Sequence, residues 1–223
     1  MTDVIDPSEM VEEVVVFLRN QDVFTTSQRG VITDTDAGSW SSATSHLIDV
    51  NNVRNIRSIT VDGSSLSFGT DYNVDYTFDD GGTTKCKISL VSAQTGSYSI
   101  SYDYGSDKIF SDFPRPNLSI SSFPRMTVDF VSVDSESGGF GNVIKNTISF
   151  SVIVYDAKTS SVRDYIMSVR TKFIENWTDF YYLSGVVRPV GVGPMLKSPK
   201  ELGKDRIFQQ NVDFVSYFKY EKN

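Results

Sequence analysis

The chain has 223 residues, a formal net charge of -7 and a pI near 4.7, with 39% hydrophobic and 22% charged residues. This composition is too apolar and too varied for a disordered protein, and no run reaches the roughly 18 apolar residues that a membrane-spanning helix requires. Because an acidic chain lacks the clustered Lys and Arg that grip nucleic acid, specific DNA binding is not expected. The length suits two small domains, each with its own core.

Two further features concern the cellular compartment. The chain starts with Asp3 and Asp6 and not with a basic, apolar signal segment, so neither secretion nor membrane insertion is expected. The single cysteine, Cys86, excludes an intramolecular disulfide framework. We therefore expect folding in a reducing cytoplasm, with stability supplied by packing and strand pairing.

The first predicted element is an amphipathic helix near the N-terminus. Asp6 has the position of an N-cap, Pro7 that of the first helical residue, and Glu9 completes a capping box. The apolar residues that follow recur at steps of three and four: Met10, Val11, Val14, Val15 and Leu18. The helix is predicted to end within residues 20–30, and a short strand is predicted to open at residues 31–32.

From Ser41 to about Gly105 the composition changes to Ser, Thr, Asn, Asp and Gly, with apolar residues at alternate positions. Such alternation predicts antiparallel strands with one buried face and one solvated face. Strands are predicted at 57–61, 72–78, 86–90 and 98–104, joined as a meander of hairpins by turns at 62–63, 79–82 and 94–96. Residues 41–110 are therefore predicted to form an inserted all-β, immunoglobulin-like sandwich.

The segments 1–40 and 111–223 are predicted to form one core domain around this insertion. Pro114 and Pro116 interrupt the alternation and mark the exit from the module. Strands near 126–133 and 148–154 are predicted to pair as a hairpin with a mobile tip at 135–141. A second helix, capped by Ser160 or Ser161, has an apolar face of Val162, Tyr165, Ile166, Val169, Phe173 and Trp177.

The C-terminal part completes the sheet of the core domain. Strands are predicted at 181–188 and 207–220, separated by a Gly- and Pro-containing loop at 189–203. The predicted fold class is α+β, with an antiparallel or mixed sheet packed against two helices and interrupted by the inserted module. Such an insertion is tolerated where a surface loop has its ends close together.

The residues that usually carry catalysis do not form a recognisable pattern. His46 is the only histidine, so one chain cannot build a His-based triad or a histidine metal cluster, and Cys86 has the spacing of a buried strand thiol. The best acidic candidates lack the order of a calcium loop: Asp71, Asp75, Asp79 and Asp80. Glycines at 138–141 and 191–193 are not followed by the Lys-Ser of a phosphate-binding loop. We expect no enzyme activity, cofactor or metal.

Two segments are predicted to contact partners. The first is the loop at 189–203, whose apolar residues lack the periodicity of a core element: Val190, Val192, Pro194, Met195 and Leu196. The second is the hairpin tip, with Gly138, Gly139 and Phe140. For the first segment the alternative is that the loop folds back on its own core.

The order of elements outside the module resembles the tail terminator, or tail-completion, proteins of long-tailed phages and viruses. The resemblance is carried by DPSEMVEEVVVFLRN, ISFSVIVYDAKTSSVRDYIMSVRTKF and DRIFQQNVDFVSYFKYE. It implies a virion protein, assembled in the host cytoplasm, that forms a homo-oligomeric ring, commonly a hexamer. Such a ring caps the tube formed by the tail tube protein and contacts the head-neck connector. DNA passes through the ring without specific binding, and the protein is not expected to associate with a membrane.

The inserted module departs from this resemblance and is expected to project from the periphery of the ring. Two other functions stay open on the sequence. The chain could be another head-tail connector or tail tube component, or the Ser/Thr-rich module could bind a glycan or host surface outside the cell. An enzyme that used two carboxylates without histidine is a third alternative, although no spacing singles out such a pair.

Overall fold

The computed structural model describes residues 7–111, 123–137, 143–176, 180, 187–197 and 206–221. In chain order these residues form α1 (Pro7–Asn20), α2 (Thr26–Arg29), β1 (Val31–Ile48), β2 (Val53–Val61), β3 (Ser64–Leu66), β4 (Tyr72–Asp80), β5 (Thr83–Gly105), β6 (Ile109–Phe110), β7 (Arg125–Ser137), β8 (Val143–Asp156), α3 (Thr159–Glu175), β9 (Val187–Val192), β10 (Leu196–Lys197) and β11 (Phe208–Glu221). The fold class is α+β, with sheet predominating. Two compact units are present: unit 1 comprises residues 1–24 and 108–223, and unit 2 comprises residues 25–107.

The two long helices of unit 1 bury the apolar faces that the sequence predicts. The predicted residues of α1 are all buried, whereas the capping residue Asp6 lies outside the described residues. Helix α3 buries Val162, Ile166, Val169 and Phe173. It starts earlier than predicted, because Lys158 occupies the N-cap position with an extended backbone and without a side-chain cap. The burial of a side chain such as Phe173 contributes about 1.5–3 kcal/mol.

The sheet of unit 1 has the strand order β10-β11-β8-β7-β6, with β9 also paired to β11. Strands β7 and β8 pair antiparallel, which confirms the predicted hairpin. Val128, Val152 and Val212 lie side by side across β7, β8 and β11 and face the helices. Both helices pack on the same hydrophobic cluster, α1 against β6 and β7 and α3 against β8, β11 and β9. Unit 1 is therefore a helical layer on one face of a largely antiparallel sheet.

Three expectations for unit 1 differ from the structure or lie outside it. The loop predicted at 189–203 is wrong for residues 189–192 and 196–197, because β9 and β10 both pair with β11. Residues 181–186, most of another predicted strand, lie outside the described residues, as does Trp177. At the predicted hairpin tip, residues 135–137 belong to β7, and residues 138–142 lie outside the described residues.

Unit 2 begins earlier than the predicted module, because its first strand is far longer than the short element expected at residues 31–32. Strand β1 has 18 residues, from Val31 to Ile48, and pairs with β5 along most of this length. The sequence gives little sign of this strand, since Thr, Asp and Ser occupy half of its 18 positions and only Val31, Trp40 and Ile48 are buried. An edge strand packs on one neighbour only, so it needs few apolar residues.

The predicted meander of hairpins is correct for the hairpin of β4 and the start of β5, but the other strands join it in one bent sheet. Residues predicted as two strands and a turn form the continuous 23-residue β5, which pairs with β1, β2 and β4. Gly96 has a φ of 136°, so it bends β5 and does not reverse it. The described strands of unit 2 thus join in a single five-stranded sheet, which differs from the two separate sheets of an immunoglobulin-like sandwich. The turn at Asp62 and Gly63 and the turn at residues 79–82 are as predicted, since Asp62, Gly63, Gly81 and Gly82 all have positive φ and β4 pairs antiparallel with β5.

Candidate functional site: two exposed flanks of unit 1

The apolar segment that the sequence singles out lies at the β9 side of the unit 1 sheet. Val190, Val192, Pro194 and Leu196 are exposed, with 64% of Val190 accessible to solvent. Met195 differs, because it is partly buried against the core of unit 1. The prediction of a segment that folds back on the core therefore describes Met195, and the other four residues line an outer edge. The second predicted segment, with Gly138, Gly139 and Phe140, lies outside the described residues.

Strand β9 is an edge strand that cannot easily accept another strand. Among the described residues its only strand partner is β11. Pro189 lacks an N–H group, and a register shift opposite Asp213 and Phe214 leaves Val190 bulged. Both features are devices by which natural edge strands avoid edge-to-edge pairing. Side-chain packing is therefore the mode of contact that this edge favours.

A second exposed flank lies at the opposite edge of the same sheet, on β7. Strand β6 covers only the start of β7, where it pairs with Met126 and Thr127. Further along, Phe130, Val131 and Val133 are exposed large hydrophobics. The apolar residues of this segment predict a strand, but the sequence does not show which of them are exposed.

The bulge in β7 explains how its apolar residues become exposed. The register with β8 shifts between Phe130 and Ser132, so Val131 has no direct partner. Phe130 lies opposite Phe150, and Val133 lies opposite Ile148, which places both on the face that carries the helices. Phe150 and Ile148 are buried, whereas 39% of Phe130 and 42% of Val133 are exposed. The helical layer therefore ends before it covers this part of β7.

Helix α3 contributes a further exposed stripe that the sequence analysis did not identify. Met167 and Ile174 are exposed large hydrophobics on a helix whose other apolar residues are buried or partly buried. Arg163 and Arg170 are also exposed. The positions 163, 167, 170 and 174 fall on one line along a helix of 3.6 residues per turn. The spacing signal is present in the sequence, but only the structure shows that this line is not the buried one.

In unit 2, the only histidine belongs to a satisfied polar and aromatic cluster. His46 Nε2 lies 2.7 Å from Asp36 Oδ2, and the indole N–H of Trp40 donates to His46 Nδ1 at 3.3 Å. Because Nδ1 accepts from an indole that can only donate, Nε2 carries the proton and donates to Asp36. Tyr98 stacks on Trp40 at 4.6 Å and donates its hydroxyl hydrogen to Asp36 Oδ1 at 3.3 Å. The cluster braces the sheet, and each of its polar side chains is engaged.

A buried ion network joins the two ends of unit 2. Arg29 is fully buried and donates from Nη1 to Asp103 at 2.8 Å and from Nη2 to Asp107 at 2.6 Å. Asp103 also accepts hydrogen bonds from Arg57 and Thr33, both at 2.7 Å. Burial acts to raise the pKa of Asp103, but these bonds and the charge of Arg29 together hold it below its usual value.

The other chemical candidates have structural roles in unit 2. Asp79 accepts from the Gly82 amide, and Asp80 pairs with Lys85. Asp71 and Asp75 likewise accept from neighbouring backbone amides. Cys86 is buried as predicted, and burial raises the pKa of its thiol to about 12. In the part of the chain that the structure describes, no group of three or more His, Cys, Asp or Glu residues is arranged to hold a metal ion.

None of the helices in the described ranges has the length and apolarity needed to span a bilayer. No known protein-family model matches the chain, and a search of curated proteins finds no significant match.

Proposed function

We propose that this protein is a structural virion subunit that forms a ring, caps the tail tube of a long-tailed virus and joins the tube to the head-neck connector. The observation that carries the proposal is the pair of exposed apolar flanks at opposite edges of the unit 1 sheet. One consists of Phe130, Val131 and Val133 on β7, and the other of Val190 and Val192 on β9 with Leu196 on β10. Exposed apolar patches rimmed by polar residues are typical of protein-protein contacts.

The two flanks differ, and this difference favours a ring. A dimer with two-fold symmetry uses the same surface on both subunits, whereas a contact between two different surfaces leaves one subunit with the first surface unused and the other subunit with the second surface unused. Further subunits therefore add head to tail until the rotation closes a ring or produces a filament. A hexamer is the ring size implied by the resemblance of α1, the β7–β8 hairpin, α3 and β11 to tail terminators.

The charge of the chain is compatible with a channel for DNA. The formal net charge is -7, and acidic surface repels a polyanion at short range. Contacts that bound phosphate would hold DNA in place, whereas a terminator ring must let it pass. We therefore propose that DNA traverses the ring without specific binding.

The test combines mass and imaging of the purified full-length chain. Native mass spectrometry should give one closed oligomer, and electron microscopy should show rings. When mixed with assembled tail tubes, the rings should sit at tube ends. Binding along the shaft or copolymerisation with the tube protein would instead identify a tube component, and binding only to the connector would identify a different neck protein.

The binding-module alternative is tested separately. A glycan array probed with the full chain should show no specific signal if the proposal is right. A specific signal that disappears with changes in unit 2, in a chain that forms no rings, would replace the virion proposal with a surface-binding function.

A further inference from the structure

We infer that the exposed stripe of α3 in one copy of this chain docks on the uncovered part of β7 in the next copy. The stripe consists of Arg163, Met167, Arg170 and Ile174, and the β7 surface consists of Phe130, Val131, Val133, Asp134 and Glu136. The inference rests on the self-association in the proposed function and names the surfaces that carry it. It does not depend on whether the ring caps a tail tube.

The stripe lies on the flank of α3 that points away from α1. Tyr165 marks the opposite flank, because its ring contacts Phe24, just after α1, with centroids 4.7 Å apart. At 100° per residue, Met167 and Ile174 lie on the side of the helix roughly opposite Tyr165. Since α3 also packs on β9, this flank and the exposed residues of β9 are on the same side of unit 1. The stripe and β7 are thus at opposite ends of the unit.

The β7 surface has the shape that a helix would cover. Phe130 and Val133 belong to the face of the sheet on which α1 and α3 already lie, and they are exposed because neither helix extends over them. A helix from another copy would extend the helical layer across the edge of the sheet. Met167 and Ile174, with 46% and 49% of their surfaces exposed, would supply the apolar side chains.

The charges of the two surfaces have opposite sign. Arg163 and Arg170 alternate with the apolar residues of the stripe, and Asp134 and Glu136 follow Val133 on the edge strand. Among the described residues, no ion pair involves any of these four side chains. Because β7 is an edge strand, long Arg side chains can reach round it to the carboxylates on its other face. Two like surfaces would repel, so the charges favour head-to-tail contact over a two-fold dimer.

The experiment is a charge exchange followed by native mass spectrometry and sedimentation at several protein concentrations. Arg163→Glu with Arg170→Glu should weaken association at least about tenfold, and Asp134→Arg with Glu136→Arg should do the same, because each change places like charges together. Combining all four changes should restore association. The matched control is Asp164→Lys with Glu175→Lys, which alters two charges on α3 outside the stripe and should leave association unchanged.

A disulfide test shows the direction of the contact. Met167→Cys and Val133→Cys chains, both in a Cys86→Ser background, should cross-link when mixed under oxidation, and neither should cross-link alone. Circular dichroism of each variant separates lost association from lost folding. Failure of the charge exchange to restore association, or cross-linking of Val133→Cys with itself, would overturn the inference. Rings that pass both tests but do not cap tubes would leave the inference intact and reject the proposed function.

Discussion

His46 Nε2 donates to Asp36 Oδ2 at 2.7 Å, although the two residues are separated by ten positions on the same strand, β1. A straight strand rises about 3.3 Å per residue and would place them roughly 33 Å apart. The strand therefore turns back sharply between them, where Ser42 has a positive φ and the register with β5 shifts. Trp40 and Tyr98 fill the inside of this corner. The cluster of Asp36, Trp40, His46 and Tyr98 holds the two halves of the unit 2 sheet against one shared hydrophobic core.

We predict that His46→Ala lowers the stability of unit 2 by about 1–3 kcal/mol, because it removes the partner of the Trp40 indole and one of the two partners of Asp36. Urea unfolding can be followed by Trp40 fluorescence in a Trp177→Phe background, since the chain has two tryptophans. Ser45→Ala, at an exposed position of the same strand, is the control and should change stability by less than about 0.5 kcal/mol. Equal losses of stability in the two variants would show that the bend in β1 does not depend on the hydrogen bonds of His46.

The buried network around Arg29 gives a second prediction. Arg29→Met removes the buried guanidinium that joins Asp103 and Asp107, although Asp103 keeps Arg57, and the loss of one partner of a buried ion pair costs about 3–5 kcal/mol. Arg29→Lys should recover little, because Lys cannot donate to both carboxylates with the same fork geometry. The measurement is urea unfolding of unit 2. Arg54→Met is the control, since Arg54 is exposed and donates to the Gly105 carbonyl. An Arg29→Lys chain as stable as the original would contradict the prediction.

The lowered pKa of Asp103 predicts how unit 2 responds to acid. The folded pKa lies below the unfolded value of about 3.9, so the carboxylate stabilises the fold above that pH and loses this contribution as the pH falls through the folded pKa. Thermal unfolding can be measured between pH 7 and pH 2 for the original chain and for Asp103→Asn. Below about pH 4 the original chain should lose stability more steeply than the variant. Parallel pH profiles of the two proteins would show that other groups control the acid transition.

Cys86 predicts slow thiol modification in the folded chain. Burial removes access, and a pKa of about 12 keeps the group as a thiol at pH 8. Labelling with a thiol reagent should be complete in denaturant and at least about a hundredfold slower without it, because it requires opening of the sheet. Ser89→Cys in a Cys86→Ser background places the thiol at an exposed position of the same strand and should react rapidly. Equal rates for the two positions would mean that Cys86 is accessible.

Local periodicity is sufficient to predict the elements that form the core of unit 1. Helix α1, the β7–β8 hairpin and β11 each repeat apolar residues with the period of their secondary structure, and most of these residues are buried. The same signal fails for β1, because an edge strand with polar side chains has little apolar periodicity. It fails differently for β5, where Gly96 predicts a turn because a glycine bend and a glycine turn look alike in sequence.

The exposed flanks are predictable only in part. Val190 and Val192 stand out in the sequence because they lack core periodicity, whereas Phe130, Val133, Met167 and Ile174 give no such signal. Whether an apolar residue of a strand or helix is buried depends on how far the helices extend over the sheet, which is a property of the whole unit. His46 is similar, since its partners Asp36 and Trp40 meet it only after β1 bends.

Local patterns along the chain are enough to specify which segments of this protein become amphipathic helices and alternating strands, because those patterns reflect burial of one side of a local element. The pairing of the strands, the position of the β1 corner and the set of uncovered apolar residues are fixed at the tertiary level. They depend on contacts between residues that are distant in the sequence, and the spacing of apolar residues along a segment does not determine the free energies of such contacts. The exposed surfaces of β7 and α3, which form the inferred contact between copies, belong to this second group.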